Sequence, residues 1–182
     1  MKKAIGMVEF KTVSSGMRAA DRMVKTAEVD LLQADTVCPG KFMALISGDL
    51  SSVKSAVESA IAADTEQLID SFVLGNPHES IFSALYGASE VGSPNALGVL
   101  ETFSAAAAIV AADTAAKTAL VDLIELRLAR GMCGKSYLLL TGEIAAVEAA
   151  IEKAKVGAGE YGMFLDSAVI PNPDKKLWQN IM

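Results

Sequence analysis

Cys38 is the side chain best placed by type and context to do chemistry. It stands in Thr36-Val37-Cys38-Pro39-Gly40-Lys41, immediately before a Pro-Gly pair that marks a turn. A thiolate in a turn can ligate a metal or an iron–sulfur cluster, and Cys-Pro closes ferredoxin-type ligand runs. The same residue also reads as a small apolar side chain beside a turn, since a cysteine's reactivity comes from its surroundings. The second cysteine, Cys133, lies in Arg130-Gly131-Met132-Cys133-Gly134-Lys135, and burial as packing is its expected fate. His78 is the single histidine. It lacks the second His, Asp or Cys that a general base needs as an orienting partner, so a surface position suits it better. No nucleophile elbow, P-loop or paired-carboxylate signature is present. Nothing in these groups specifies an enzyme.

Two copies of one unit position them. Ala4-Ile5-Gly6-Met7-Val8-Glu9 returns as Ala96-Leu97-Gly98-Val99-Leu100-Glu101, and 12 of 28 positions are identical between residues 4–31 and 96–123. The offset of 92 grows to 94 at Gly40-Lys41 against Gly134-Lys135, and to 96 at Asn76-Pro77 against Asn172-Pro173. By this alignment Met132 replaces Cys38 and Cys133 replaces Pro39. Glu9/Glu101, Asp21/Asp113 and Lys25/Lys117 recur at matched positions, which favours architecture over a single active site. The two domains are expected at 1–92 and 93–182, the second with a C-terminal tail. They divide in the turn-forming stretch Gly92-Ser93-Pro94-Asn95.

Each copy alternates apolar strands with helices of 3.6-residue period. In the first, strands are predicted at Ala4–Lys11, Val29–Val37, Phe42–Ser47 and Leu68–Leu74. A helix capped by Ser14 or Ser15 should bury Met17, Ala20, Val24 and Ala27. A second helix, capped by Asp49 or Ser51, should bury Val53, Ala56, Val57, Ala60 and Ile61. The order βαββαβ is ferredoxin-like: an α+β fold with an antiparallel-rich sheet and helices on one face.

Composition narrows the function classes. The chain has 182 residues, net charge −6, 52% hydrophobic residues and only 5% aromatics, so Ala, Val, Leu, Ile and Met must fill the core. Without a basic cluster, nucleic acid is not an expected partner. Glu9 and Lys11 interrupt the N-terminal apolar stretch too early for a signal peptide. The apolar run Ser104–Ala112 is about half a membrane span. Two cysteines without a secretory signal fit the cytoplasm.

The Ala-Ile-Gly-Met-Val-Glu opening, Ala20-Asp21-Arg22-Met23-Val24-Lys25-Thr26-Ala27, Gly40-Lys41 and Ser47-Gly48-Asp49-Leu50-Ser51-Ser52-Val53, in this order and largely duplicated, resemble the bacterial microcompartment shell domain. The resemblance covers nearly the whole chain, twice. It implies a structural tile of the microcompartment shell: a homotrimer imitating a hexamer, unpermuted in both copies, that meets other shell proteins at its edges. Thr36–Phe42 and the ending Val169-Ile170-Pro171-Asn172-Pro173 with Trp178 are similar, more narrowly, to the iron–sulfur tandem shell proteins of propanediol-utilisation microcompartments. That likeness implies a central pore bordered by Val37, Cys38, Pro39, Gly40, Met132, Cys133 and Gly134. It implies one [4Fe–4S] cluster per trimer, ligated by Cys38 from three copies, and electron transfer to a redox enzyme on the lumenal or cytosolic side. Cys133 departs from that pattern. Lys25 and Lys117 are implied at the tile edge, together with Asn76 and Asn172, where relatives often carry arginine. Two other readings stand beside this one: a plain structural or metabolite-conducting tile, and a small-molecule-binding regulator built on the same βαββαβ unit.

Overall fold

The structure is a computed structural model that describes residues 4–92, 94–160 and 162–181, with the side chain of Glu160 left out. Two compact units form, Met1–Pro77 and His78–Met182. The first contains β1 (Ala4–Phe10), α1 (Val13–Thr26), β2 (Val29–Val37), β3 (Lys41–Gly48), α2 (Leu50–Ala63) and β4 (Leu68–Leu74). The second opens with α3 (Ser80–Leu85), followed by β5 (Ala96–Thr102), α4 (Ala105–Thr118), β6 (Asp122–Arg127) and β7 (Ser136–Gly142). It ends with α5 (Ile144–Glu160), β8 (Phe164–Ile170) and α6 (Lys175–Ile181). The contact boundary falls before α3 because that helix lies on β6 and α4. It therefore precedes the expected Gly92–Asn95 turn, in which Ser93 is outside the described residues.

Both sheets are four-stranded and wholly antiparallel, in the orders β2-β3-β1-β4 and β6-β7-β5-β8. Alternation along β1 sends Ala4, Val8 and Phe10 toward the helices, where they join Ala19, Ala20, Met23, Phe42, Ile46, Val53, Ala56, Val57 and Ala60. Gly6 belongs to that face. A Cβ there would stand 2.6 Å from Val53 Cγ1 of α2, and one on the matching Gly98 would stand 2.9 Å from Val147 Cγ1 of α5. Both glycines thus let a helix approach its sheet closely. The ladders match in detail as well. Register shifts fall between Leu31 and Gln33 and, at the equivalent place, between Leu123 and Glu125.

Two local expectations are corrected. The α1 cap is Thr12, whose hydroxyl accepts the Ser15 N–H at 3.4 Å, so neither Ser14 nor Ser15 serves. The face α1 buries is Ser15, Gly16, Ala19, Ala20 and Met23, while Met17 and Val24 are exposed. The small residues at 16, 19 and 20 let the helix lie on Phe42 and its neighbours, and this turns the two larger apolar side chains outward. The α2 stripe is as expected at Val53, Ala56, Val57 and Ala60, while Ile61 is half-buried; Asp49 is the cap residue, but its side chain makes no capping hydrogen bond. In the second unit, the sheet face away from α4 and α5 collects Leu97, Ile124 and Leu139. Val91, Val99, Tyr137, Ile170, Trp178 and Ile181 pack around them.

Candidate functional site

Antiparallel pairing of β2 with β3 leaves Cys38, Pro39 and Gly40 to turn the chain, since Val37 already pairs with Lys41. The Gly40 N–H donates to the Val37 carbonyl at 2.9 Å. The Cys38–Pro39 bond is cis, and Gly40 has φ 99°, a conformation natural to glycine. Cys38 takes the second position of this turn, half-buried and with a free thiol. The base of the turn is anchored: Lys41 forms an ion pair with Glu9, and both side chains are largely buried. The sequence marks Glu9 and Lys41 as repeated residues but not as a pair. Their common function as an anchor depends on the β1–β3 register, which sets Phe10 opposite Phe42.

The matched hairpin of the second unit is built differently. Between Arg127 and Ser136 the chain leaves the ladder for eight residues. It turns through Met132–Lys135, where the Lys135 N–H donates to the Met132 carbonyl at 3.1 Å. Cys133 and Gly134 have φ 53° and 88°, the pair of left-handed residues found in type I′ turns. Cys133 is exposed, which corrects the expected burial. By position in the turn, Cys133 and not Met132 is the counterpart of Cys38. The two inserted residues hide this correspondence from an alignment anchored on Gly134. The ion pair at the base also loosens, with Lys135 Nζ 3.6 Å from Glu101.

A second brace, absent from the sequence reading, holds this hairpin. Tyr137 Oη donates to Glu125 Oε2 at 2.5 Å, and Arg127 donates to Glu125 Oε1 from Nη2 at 2.7 Å and Nε at 3.0 Å. The guanidinium also lies 5.5 Å from the centre of the Tyr137 ring. Burial first, and then the bond to Glu125, pushes the Tyr137 hydroxyl up to about 12. The Arg127 guanidinium is raised by its hydrogen bond to Glu125. The first unit has Gln33, Asp35 and Met43 at these three places.

Lys25 and Lys117 lie in the last turns of α1 and α4. Each bonds the aspartate one turn earlier at 2.7 Å, Asp21 and Asp113 respectively. Asp21 is exposed, whereas Asp113 is largely buried and also accepts the His78 N–H at 2.8 Å. His78 is half-buried, its Nδ1 2.7 Å from Ser80 Oγ, and it caps structure instead of facing a reactive group. Asn76 and Asn172 are exposed, Asn76 with φ 56°. Among the described residues no group of three or more His, Cys, Asp and Glu is placed to hold a metal ion. No helix there is long and apolar enough to cross a membrane.

Comparison with known proteins agrees with this geometry. The BMC domain matches residues 4–77 and again 96–173. The bacterial microcompartment shell protein PduT of Citrobacter freundii is 38% identical over 182 residues, covering 100% of this chain and 99% of that protein. PduA, another microcompartment shell protein of the same organism, is 32% identical over 82 residues, 44% of this chain and 88% of its own. A crystal structure of a microcompartment protein from Desulfitobacterium hafniense superimposes with a TM-score of 0.94 at 44% identity, covering 98% of this chain and 99% of the other.

Proposed function

Because the chain belongs to the BMC domain family, the structural shell proteins of bacterial microcompartments, we propose that three copies close into a pseudo-hexagonal tile. Its pore rim carries the Val37–Gly40 turn, and three Cys38 thiolates together hold one [4Fe–4S] cluster. The observation that carries this reading is the Cys38 turn itself. A free thiol stands at the second position of a hairpin tip whose base is pinned by the Lys41–Glu9 pair. One chain offers a single thiol at this tip, and three copies of the tip would offer three. Three equivalent sulfurs suit three corners of a cubane. Bound there, a cluster supplies one-electron transfer across the shell. The chain's own contribution is to keep the thiolates on a short, anchored tip. Lys25 and Lys117, with Asn76 and Asn172, serve the tile edge, where other shell proteins are the partners. A redox enzyme on either side of the shell would exchange the electrons.

The test is anaerobic reconstitution of the full chain with iron and sulfide, followed by light scattering, iron analysis and visible spectroscopy. A trimer carrying one brown cluster is the expected result. Cys38→Ser should remove the bound iron and leave the trimer. A wild-type trimer that retains no iron would refute the cluster, and a stable monomer would refute the tile.

A further inference from the structure

The second helix of each unit ends differently. α5 runs on to Glu160 and buries Ala154 and Ala158, whereas α2 stops at Ala63. The repeat that sets Val53 against Val147 sets Asp64 against Ala158, so the first unit has a carboxylate outside its helix where the second has a buried methyl inside one. Beside this early end a groove of about 480 Å3 lies between α1 and α2, a volume in the range of small-molecule sites.

The walls of the groove carry charge that the second unit lacks. Ser15, Arg18, Arg22 and Asp64 line it, and Ala107, Val110, Thr114 and Ala158 stand at the matching places. Asp64 accepts from the buried Ser15 Oγ at 2.8 Å and from Arg18 Nη2 at 3.0 Å. Asp21 accepts from Lys25 Nζ at 2.7 Å. Both lining carboxylates are thereby engaged. Arg22 is exposed, and its guanidinium has no partner among the described residues. Three cations against two carboxylates leave one positive charge in excess, on a chain whose net charge is −6. Arg18 and Arg22 stand one helical turn apart, a spacing at which like charges repel. An anion held between them removes that repulsion.

The geometry also selects among anions. One guanidinium fork already fills both oxygens of a carboxylate, whereas a phosphoryl group offers three oxygens and can satisfy two forks together. The floor of the groove is apolar, formed by Ala19, Ala60 and Ala63, and suits a short carbon body. We propose that this groove binds a small phosphomonoester, its phosphoryl oxygens taken by Arg18 and Arg22 and its carbon body lying over the three alanines. Ser15 and Asp64 hold Arg18 in position for that contact. The site lies wholly within the first unit and does not depend on the cluster or the tile proposed above.

The test is a phosphorus NMR titration of the full chain with propyl phosphate, at about 0.15 M salt to screen diffuse attraction. Saturable binding is expected. Arg22→Gln and Arg18→Gln should each weaken it about tenfold or more, the loss of charge-assisted hydrogen bonds. Lys54→Gln, which removes an exposed cation of α2 that does not line the groove, should leave it unchanged. Circular dichroism should be native throughout, because Arg18, Arg22 and Lys54 are all exposed. Butyrate, one carboxylate on a similar carbon body, should fail to displace propyl phosphate, and inorganic phosphate should bind more weakly. Absence of saturable binding, or binding that survives Arg22→Gln unchanged, would overturn the site. Equal binding of butyrate would overturn the phosphoryl assignment, and equal binding of inorganic phosphate would overturn the part given to the alanine floor.

Discussion

The β2–β3 tip of the first unit and the β6–β7 tip of the second close the same hairpin of the same fold, with three residues outside the ladder in one and eight in the other. Both place a free cysteine at the second position of a hydrogen-bonded turn. Only the first pins its base with a buried ion pair. The second is held from the side by Tyr137, Glu125 and Arg127. The comparison teaches that the sheet does not dictate its tip. Ladders that agree down to a shared bulge tolerate different lengths, turn types and anchors beyond their last pair, so duplication has left the tips free to specialise while the cores stayed alike.

The largest difference expected between the tips is in bound iron. Cys38→Ser should abolish it, whereas Cys133→Ser should leave it and the visible spectrum unchanged; iron loss in the second variant alone would move the ligand to the other tip. A smaller contrast lies behind the tips. Gly16 faces Phe42, where a Cβ would stand 2.4 Å from the Phe42 Cβ, while the second unit solves the same contact with Ala108 and Ser136. Gly16→Ala should therefore cost about 1–3 kcal/mol by overpacking, measured by denaturant unfolding. The double variant Gly16→Ala with Phe42→Ser should cost less than the two singles added, because they share one contact.

Next comes the aspartate pair. Asp113→Ala strips a buried acceptor from the His78 N–H and from Lys117, and should cost about 1–2 kcal/mol. Asp21→Ala removes only an exposed i,i+4 pair, worth no more than about 0.5 kcal/mol in the isolated chain. Equal losses would mean that burial does not distinguish them. The smallest effect concerns pH. Tyr137 holds its proton more tightly folded than unfolded, up to about 12 against an ordinary value of 10.0. Its stabilisation is therefore complete below the unfolded value and lost as pH rises through the folded one. Tyr137→Phe should flatten the alkaline decline of stability between those limits, while a matching change at Met43 should not.

Much of this was legible in the residues. Strand alternation, the α2 stripe and the repeat all report burial inside one unit, and the local periodicity carries them directly. Met17 and Val24 misled for a physical reason. The small residues at 16, 19 and 20 seat the helix on Phe42 and turn the larger apolar side chains outward, a close fit that the hydrophobic period does not carry. Cys133 misled for another. Its place follows from which carbonyl accepts the Lys135 N–H, and two inserted residues shift that bond without altering the flanking motif. The brace on Tyr137 depends on β6–β7 register across a bulge, which composition and spacing do not reveal. The cysteine of the first tip, by contrast, stood out because Pro39 and Gly40 announce their turn.

The junction of α3 with β6 and α4 has a consequence for mass action. It is intramolecular, so its strength does not change on dilution, and its partner is always present at the effective concentration set by a short tether. In the tile proposed above, only the contacts between chains would respond to how much protein the cell makes. The tile's assembly threshold would then lie lower than that of a ring of the same outline closed from separate single domains.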